Sequence, residues 1–473
     1  MAGPLRIVIV SYVDDNFGDN LIRISFQALL DVALANHGLS ADAYEITPMS
    51  LKHVDEPLLE RADAVLFAGG GLFGLSYLNF FSHLDQITAI AERRGIPVVF
   101  SSMGLNNMSA EGGSSDAIAK IVTRSCVKAL AVRENLPLFQ SLAPDLPFEI
   151  RQVADPAVWT KYVYGMTDVV PDGTLGINVV RGGLFEANQR KWGLTAEMEY
   201  LHNLSVYAGT AGLTTQFYTN GSLDDNNTLR FFAREYEVPS EHVVLPQTTR
   251  EVVEAIASRS AIASIRMHSS IIAYSFGIPT VALEWNDKLP FFYEAIGHPE
   301  RLLPFHDWSP DLAFATLKRA GVAPEHDDGY RDYLMSTYTF LHEAVGAHVL
   351  GERAGHAVAY DFDAVADALV ERSSEIDEDE TDLRIKMGKV ERAYLGRFTT
   401  LRAKDKELGA LRKEMAALET KSARVAPLES RVAALEKEAV ALKAKIAAQK
   451  QELDTRFSTR LARYLRRLGA RKG

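Results

Sequence analysis

The first 300 residues alternate short apolar runs with amphipathic stretches. The apolar runs contain few polar interruptions and are bounded by Gly or Pro, whereas the stretches between them repeat apolar residues at helical spacing. Strands of this kind, separated by helices, are typical of parallel sheets that are covered on both faces. The N-terminal strand candidates are Leu5–Val13, Ala64–Ala68, Pro97–Ser102 and Leu130–Val132. The pattern predicts a doubly wound, Rossmann-like α/β domain over residues 1–165.

The pattern breaks at Tyr162–Gly173, where Pro171-Asp172-Gly173 signals a turn, and then restarts. The second set of strand candidates is Thr174–Val180, Thr214–Tyr218, His242–Leu245, Ala261–Ile265 and Thr280–Leu283. We therefore predict a second Rossmann-like domain over residues 173–310. Two such domains that face each other across a cleft are a common arrangement for binding a ligand.

The remaining chain changes in character three times. Residues 311–371 read as a helical extension, and residues 372–384 as an acidic linker. The heptad spacing over residues 385–455 predicts a coiled coil, and therefore a homo-oligomer. We expect a break near Pro427, because proline removes an amide donor and clashes with the preceding turn. The alternative is a solvated helix packed back on the globule. The apolar seam consists of Leu401, Leu408, Leu411, Met415, Leu418 and Val425, then Leu428, Val432, Leu435, Ala439, Leu442, Ile446 and Leu453.

A basic amphipathic tail, residues 456–473, ends the chain. The last twenty residues carry seven basic residues against one acid, Asp454, with Phe, Leu and Tyr at helical spacing. Such a helix is a candidate for binding an anionic membrane surface, and a solvated end of the coiled coil is the alternative.

Charge divides the chain into an acidic and a basic part. The whole sequence has a formal net charge of −11, but residues 1–380 hold 27 basic and 51 acidic residues, whereas residues 381–473 hold 24 basic and 11 acidic ones. The acidic part argues against general nucleic-acid binding. The single cysteine, Cys126, excludes an intramolecular disulfide and a cysteine-based zinc cluster. No apolar stretch approaches the ~20 residues of a membrane span, so we expect a cytoplasmic protein, peripheral at the inner face of the membrane if the tail binds there.

Glycines and an acid follow the first N-terminal strands. Asp19 comes after strand one and is a candidate general base, although a helix N-cap is the simpler interpretation. The run Gly69–Gly74 satisfies G-x-G-x-x-G, but it does not follow the first strand of the domain, and the next strand ends in serines rather than an acid that could hold a ribose. We therefore favour a role in which glycines, Gly70 and Gly71 among them, let free backbone amides approach a ligand phosphate or carboxylate.

Basic residues follow several other strands. Arg133 comes after Leu130–Val132, Arg266 and His268 come after Ala261–Ile265, and Lys288 lies in the loop after Thr280–Leu283. For each of these residues alone, a surface salt bridge is the more common interpretation. Because the carboxyl ends of parallel strands meet at one edge of a sheet, we expect these cations to converge on a small, highly anionic substrate.

These motifs, taken in order, resemble the polysaccharide pyruvyl transferase family over roughly residues 5–300. The elements that carry the resemblance are Asn16-Phe-Gly-Asp-Asn20, Asp63–Gly74, Val132-Arg133-Glu134, Ala154-Asp155-Pro156 and Ile265–His268 running on to Gly277-Ile278-Pro279.

The resemblance implies a fold like that of the B-type glycosyltransferases. It also implies transfer of a pyruvyl group from phosphoenolpyruvate to two hydroxyls of a glycan or lipid-linked sugar, which gives a ketal and free phosphate, with no cofactor and no metal. On this basis Arg133, Arg266, His268 and Lys288 match positions expected to hold phosphoenolpyruvate, and Asn16 and Asn20 are assigned to the acceptor side. Our mechanistic hypothesis makes His268 the general acid, or else a phosphate ligand.

Two alternative functions stay open from the residues. One is a glycosyltransferase that uses a nucleotide-sugar on the same fold, since fold does not fix function. The other is a non-catalytic assembly protein that recruits glycan enzymes through its coiled coil.

Overall fold

A computed structural model describes residues 3–12, 17–74, 78–106, 114–187, 193–286, 288–320, 328–376, 402–414, 430–449 and 451. The chain forms two compact units. The first comprises residues 1–180, 204–222 and 241–378, and the second comprises residues 181–203, 223–240 and 379–473.

The first unit contains a seven-stranded sheet built from the N-terminal part of the chain. Its strands are β1 Leu5–Ser11, β2 Tyr44–Ser50, β3 Ala64–Phe67, β4 Gly70–Gly74, β5 Val98–Asn106, β6 Val127–Val132 and β7 Ile150–Gln152. Every pairing is parallel, in the order β2-β1-β3-β5-β6-β7, and β4 pairs with β5.

The same unit contains a second, six-stranded parallel sheet. Its strands are β8 Thr174–Asn178, β9 Thr214–Tyr218, β10 Val243–Val244, β11 Ala261–Ser264, β12 Thr280–Leu283 and β13 Leu302–Leu303. They lie in the order β10-β9-β8-β11-β12-β13, so the chain first extends the sheet on one side of β8 and then crosses to the other. The predicted α/β class with parallel sheets is confirmed.

Helices connect the strands and continue to the end of the first unit. The α-helices are α1 Phe17–Asn36, α2 Glu56–Leu59, α3 Leu78–Arg94, α4 Ser114–Val122, α5 Leu136–Leu142, α6 Thr160–Val163, α7 Leu184–Ala187, α8 Leu194–Thr210, α9 Leu223–Glu235, α10 Thr249–Ala257, α11 Met267–Ser275, α12 Lys288–Ala295, α13 Pro310–Ala320, α14 Asp328–Ala344 and α15 Phe362–Arg372. Residues 402–414 and 430–449 are also helical. Among the described residues, none of the helices combines the length and apolarity needed to cross a bilayer.

The strand predictions fail where a strand is short or half-exposed. β2 lies at a sheet edge and buries only Met49, and β7 has three residues of which two are exposed, so neither reads as an apolar run. The glycine-rich run lies between a strand and a helix, as the sequence indicates, but it contains a further strand that the sequence does not predict. Gly70–Gly74 form β4, because β5 extends beyond its predicted end and offers Met103–Asn106 as a pairing edge.

Part of the predicted helical extension packs against the N-terminal sheet and its connections. α14 contacts α1, β5 and the short 3₁₀ helix Pro156–Trp159. Trp159 is fully buried, and its indole nitrogen donates to the carbonyl oxygen of Leu334 on α14 at 3.0 Å. These contacts bring residues distant in sequence next to the ends of the N-terminal strands.

The second unit joins the two C-terminal helices to α9. Five seam residues pack together within one chain, Leu408, Leu411, Val432, Leu435 and Ala439. The guanidinium of Arg402 is buried over the rings of Phe231 and Tyr236. The coiled coil itself is not confirmed. The break near Pro427, most of the acidic linker and the basic tail lie outside the described residues.

Candidate functional site

Both sheets place the ends of their central strands where a ligand can bind. In an open parallel sheet, ligands bind beyond the carboxyl ends of the strands, at the point where the strand order changes direction. That point lies between β1 and β3 in the first sheet, and between β8 and β11 in the second. Asp19 follows β1, Arg133 follows β6, and Arg266 and His268 follow β11.

A polar network fixes the start of α11 against the end of β8. The backbone amide of Arg266 donates to Oδ1 of Asn178 at 2.9 Å, and Nδ2 of Asn178 donates to Oδ1 of Asn220 at 3.1 Å. The Ser269 hydroxyl donates to the same oxygen of Asn220 at 2.7 Å. The amide of Phe17, at the start of α1, donates to the carbonyl oxygen of Asn220 at 3.2 Å. The start of α1 and the start of α11 are therefore held together.

The ring of His268 lies against Gly18. A Cβ atom added at Gly18 would be 2.4 Å from Nδ1 of His268, a contact that real Cβ atoms do not make. His268 is only 7% exposed, and its Nε2 makes no hydrogen bond with the described residues. Glycine at position 18 is therefore what allows the imidazole to lie at the beginning of α1.

Arg133 is buried in two ion pairs. Its Nε lies 3.2 Å from Oε2 of Glu134, and its Nη1 lies 2.5 Å from Oδ2 of Asp155. A Cβ added at Gly104, on β5, would be 2.7 Å from Nη2. Burial acts to lower the pKa of Arg133, but Glu134 and Asp155 outweigh it and raise that pKa. Arg133 is thus a permanent cation, and Nη2 is the guanidinium nitrogen that these two pairs leave unused.

Asp155 connects Arg133 with His268. Oδ1 of Asp155 accepts a hydrogen bond from the amide of Ala157 at 2.9 Å and caps the 3₁₀ helix that follows. Oδ2, the atom paired with Arg133, lies 3.9 Å from Nε2 of His268. Asp155 belongs to the motif Ala154-Asp155-Pro156 of the family resemblance, but the sequence analysis predicts no function for it. An acid at the end of a strand, directly before a proline that starts a helix, is a signal that could have identified it.

Seven charged or titratable residues form what we call the charged cluster: Asp19, Arg133, Glu134, Asp155, Arg266, His268 and Lys288. Burial is the largest cause that lowers the pKa of His268, to about 4, and the charges of Arg133, Lys288 and Arg266 act in the same direction. Burial and then Arg133 lower the pKa of Lys288 to about 8. The charge of Asp155 opposes the lowering of the His268 pKa but does not cancel it. His268 is therefore neutral at neutral pH, mainly because it is buried, and Lys288 is close to its titration.

A tyrosine from α14 joins the cluster. The pKa of Tyr333 is raised, mainly by burial and then by the charge of Asp155. No function could be predicted for Tyr333 from the sequence, because α14 lies C-terminal to all of the recognised motifs.

The remaining predicted site residues have mixed outcomes. Gly70 and Gly71 lie in β4, and their part in binding a donor stays a prediction. Gly69 has a φ of +112°, and a Cβ there would be 2.8 Å from the carbonyl oxygen of Ser102, so this glycine serves the close approach of β5. Asn20 is buried in α1, and Asn16 lies outside the described residues. Within the described ranges, no three His, Cys, Asp or Glu side chains are grouped so as to hold a metal ion.

Comparison with known proteins identifies one family. The family model described as polysaccharide pyruvyl transferase matches residues 8–287, which is more than half of the chain. No curated protein matches the chain significantly.

Solved structures that align with this chain share little sequence with it. An uncharacterized protein from Klebsiella pneumoniae is 16% identical, with a TM-score of 0.35, over 61% of this chain and 87% of that one. The S. aureus MnaA–UDP structure is 12% identical, with a TM-score of 0.42, over 74% and 97%. The E. coli ADP-heptose LPS heptosyltransferase II is 13% identical, with a TM-score of 0.34, over 67% and 98%. These likenesses are too distant to support a conclusion about activity.

Proposed function

The chain belongs to the polysaccharide pyruvyl transferase family and is a transferase, and we propose that its donor substrate is phosphoenolpyruvate and its acceptor a sugar of a cell-surface glycan. The observation that carries this proposal is the charged cluster, where Arg133, Arg266, Lys288 and His268 converge from three different strand ends. A guanidinium binds carboxylate or phosphate through two parallel hydrogen bonds, and an ammonium binds as a point charge. A donor that carries both a carboxylate and a phosphate suits that set.

The proposed reaction balances without a cofactor or an oxidant. A proton adds to the methylene carbon of phosphoenolpyruvate, and the central carbon becomes electrophilic. One sugar hydroxyl attacks that carbon, the carbon–oxygen bond to phosphate breaks, and a second hydroxyl closes the ketal. One of the two hydroxyl protons replaces the proton that the methylene consumed, and the other leaves with the phosphate.

His268 and Asp19 are the residues we assign to proton transfer. Burial, aided by the charges of Arg133, Lys288 and Arg266, keeps His268 neutral at neutral pH, so the ring starts as a base or a neutral hydrogen-bond donor. A bound anion adds negative charge beside the ring and raises its pKa, which makes His268 a general acid only once the donor is present. Asp19, at the start of α1, acts as the base toward a sugar hydroxyl.

The C-terminal region serves location and assembly in this proposal. Five seam residues already meet within one chain, so a homo-oligomer would use the other seam positions or exchange helices between copies. The basic tail would hold a cytoplasmic enzyme against the anionic inner face of the membrane, near a lipid-linked acceptor.

Incubation with phosphoenolpyruvate and glycan precursors of the host tests the proposal. We expect release of inorganic phosphate and an acceptor whose mass increases by a pyruvyl ketal. Phosphoenolpyruvate should also raise the melting temperature of the protein, and Arg266→Gln should remove this effect. The control Arg61→Gln, at an exposed position, should keep it.

Two results would contradict the proposal. One is stabilisation by nucleotide-sugars but not by phosphoenolpyruvate, which would favour a glycosyltransferase. The other is the absence of both stabilisation and phosphate release across a panel of acceptors, which would favour an assembly protein.

A further inference from the structure

Helix α14 contacts both of the segments that carry Asp155 and His268. It comes from the predicted helical extension, beyond residue 287 where the family match ends. Along α14, Tyr330 reaches the helix that carries His268, while Leu334, Ser336 and Thr337 bind the segment that carries Asp155.

The backbone of Ala154, directly before Asp155, is held by three side-chain hydroxyls. Its amide donates to Oγ of Ser336 at 2.9 Å. Its carbonyl oxygen accepts from Oγ1 of Thr337 at 2.5 Å and from Oγ of Ser102 at 3.0 Å. Ser102 has a φ of +51°, which is uncommon for a residue with a side chain, so β5 also approaches Ala154 in a specific conformation.

The C-terminal end of α11 is held by α14 and by Lys161 of α6. The hydroxyl of Tyr330 donates to the carbonyl oxygen of Ser275 at 3.0 Å, at the last residue of α11. The amide of Lys161 donates to Oγ of Ser275 at 3.0 Å. Since His268 is the second residue of α11, these bonds restrain the helix that aims the imidazole.

We propose that α14 is a positioning element of the active site, in which Thr337, Ser336 and Tyr330 set the spacing between Asp155 and His268. The spacing of 3.9 Å is sensitive to small movements, because an N–H···O hydrogen bond needs about 2.7–3.2 Å between heavy atoms. A shift of about 0.7–1.2 Å in either segment therefore decides whether Asp155 bonds the imidazole or only polarises it. The hydroxyls of α14 bond both the segment that carries Asp155 and the helix that carries His268, and so they fix the distance between the two side chains.

The kinetic part of this inference rests on the proposed function, whereas its geometric part does not. The test uses Thr337→Val, which keeps the shape and removes the hydroxyl, and Thr337→Ser, which keeps the hydroxyl. Thr88→Val is the matched control, because Thr88 is equally buried and bonds a backbone carbonyl at 2.8 Å within α3.

The first readout is the ¹⁵N chemical shifts of the His268 ring at neutral pH, with the signal identified by its loss in His268→Gln. We expect Thr337→Val to change these shifts, Thr337→Ser to restore them, and Thr88→Val to leave them unchanged. In turnover, Thr337→Val should lower kcat roughly 10-fold or more with a smaller change in KM, since misplacement of about 1 Å can cost about 100-fold.

Unchanged His268 shifts in a folded Thr337→Val protein would overturn the proposal, and so would equal losses of kcat in Thr337→Val and Thr88→Val. If Thr337→Val does not fold, Tyr330→Phe measures the same effect from the α11 side. A wild-type protein that ignores phosphoenolpyruvate would refute the proposed function, yet the ring shifts would still decide the role of α14.

Discussion

Nε2 of His268 lies 3.9 Å from Oδ2 of Asp155, an oxygen that already accepts a hydrogen bond from Nη1 of Arg133. The carboxylate is therefore shared between a permanent cation and a neutral imidazole. An anion that binds Arg133 competes with Asp155 for the guanidinium and at the same time favours a proton on His268. Under the proposed function, binding of an anionic donor would therefore favour protonation of the ring.

Replacement of Asp155 should disrupt both partners. Asp155→Asn keeps the shape and the cap on Ala157 but removes the charge beside the buried Arg133. We expect the free energy of unfolding to fall by about 1.5–3 kcal/mol, the range for hydrogen bonds to charged groups, and turnover to fall about 100-fold or more. Urea denaturation and phosphate release measure the two effects.

The control for that experiment is Asp172→Asn. Asp172 pairs with Nη1 of Arg259 at 2.6 Å, so the substitution makes the same chemical change in another ion pair. It should leave turnover intact. Equal loss of turnover in both variants would show that Asp155 acts only through global stability.

A methyl group at residue 18 should impair catalysis while it favours the helix. Gly18→Ala raises helix propensity in α1, by up to about 1 kcal/mol, but its Cβ would overlap the ring of His268. We expect a folded protein whose kcat is roughly 100-fold lower, because the imidazole must move. Gly209→Ala, in α8 with open space around it, should keep full turnover. Normal kcat in Gly18→Ala would mean that the ring position does not matter.

The sequence predicts the basic residues of the site better than their acidic partner Asp155. Parallel strands place their carboxyl ends at one edge, so Arg133, Arg266 and His268 could be assigned to one place from their positions after apolar runs. Asp155 follows β7, a three-residue strand in which only Ile150 is buried, so no apolar run precedes this acid.

The contribution of α14 could not be predicted from spacing. Its amphipathic pattern indicates a helix but not the surface on which it packs, and the bonds of Ser336 and Thr337 to Ala154 join residues more than 180 positions apart. The requirement for glycine at positions 18 and 104 could not be predicted either. It arises only because the side chains of His268 and Arg133 occupy the space that a Cβ would fill.

Donor binding should weaken as the pH rises through about 8. The pKa of Lys288 is lowered to about 8, so the ammonium loses its proton just above neutral pH, and the cluster loses one positive charge. Calorimetric titration with phosphoenolpyruvate between pH 7 and 9.5 should show the dissociation constant rising across this range. Lys288→Arg should flatten the dependence, because an arginine stays charged. An identical pH dependence in the arginine variant would assign the titration to another group.

Acid should destabilise the protein through a stacked histidine pair remote from the charged cluster. The rings of His37 and His342 lie 4.0 Å apart and nearly parallel, and Nε2 of His37 bonds the carbonyl oxygen of His342 at 3.0 Å. Burial, followed by His37, lowers the pKa of His342 to about 4. Between about pH 6.5 and pH 4, His342 therefore binds a proton in the unfolded chain but not in the folded chain. This contribution to stability is complete above about pH 6.5 and is lost as the pH falls toward 4.

Urea midpoints measured between pH 7.5 and 4.5 should fall less steeply in His342→Phe than in the wild type. His306→Gln, which alters an exposed histidine, should keep the wild-type slope, and a wild-type slope in His342→Phe as well would exclude the stacked pair as the acid-sensitive element.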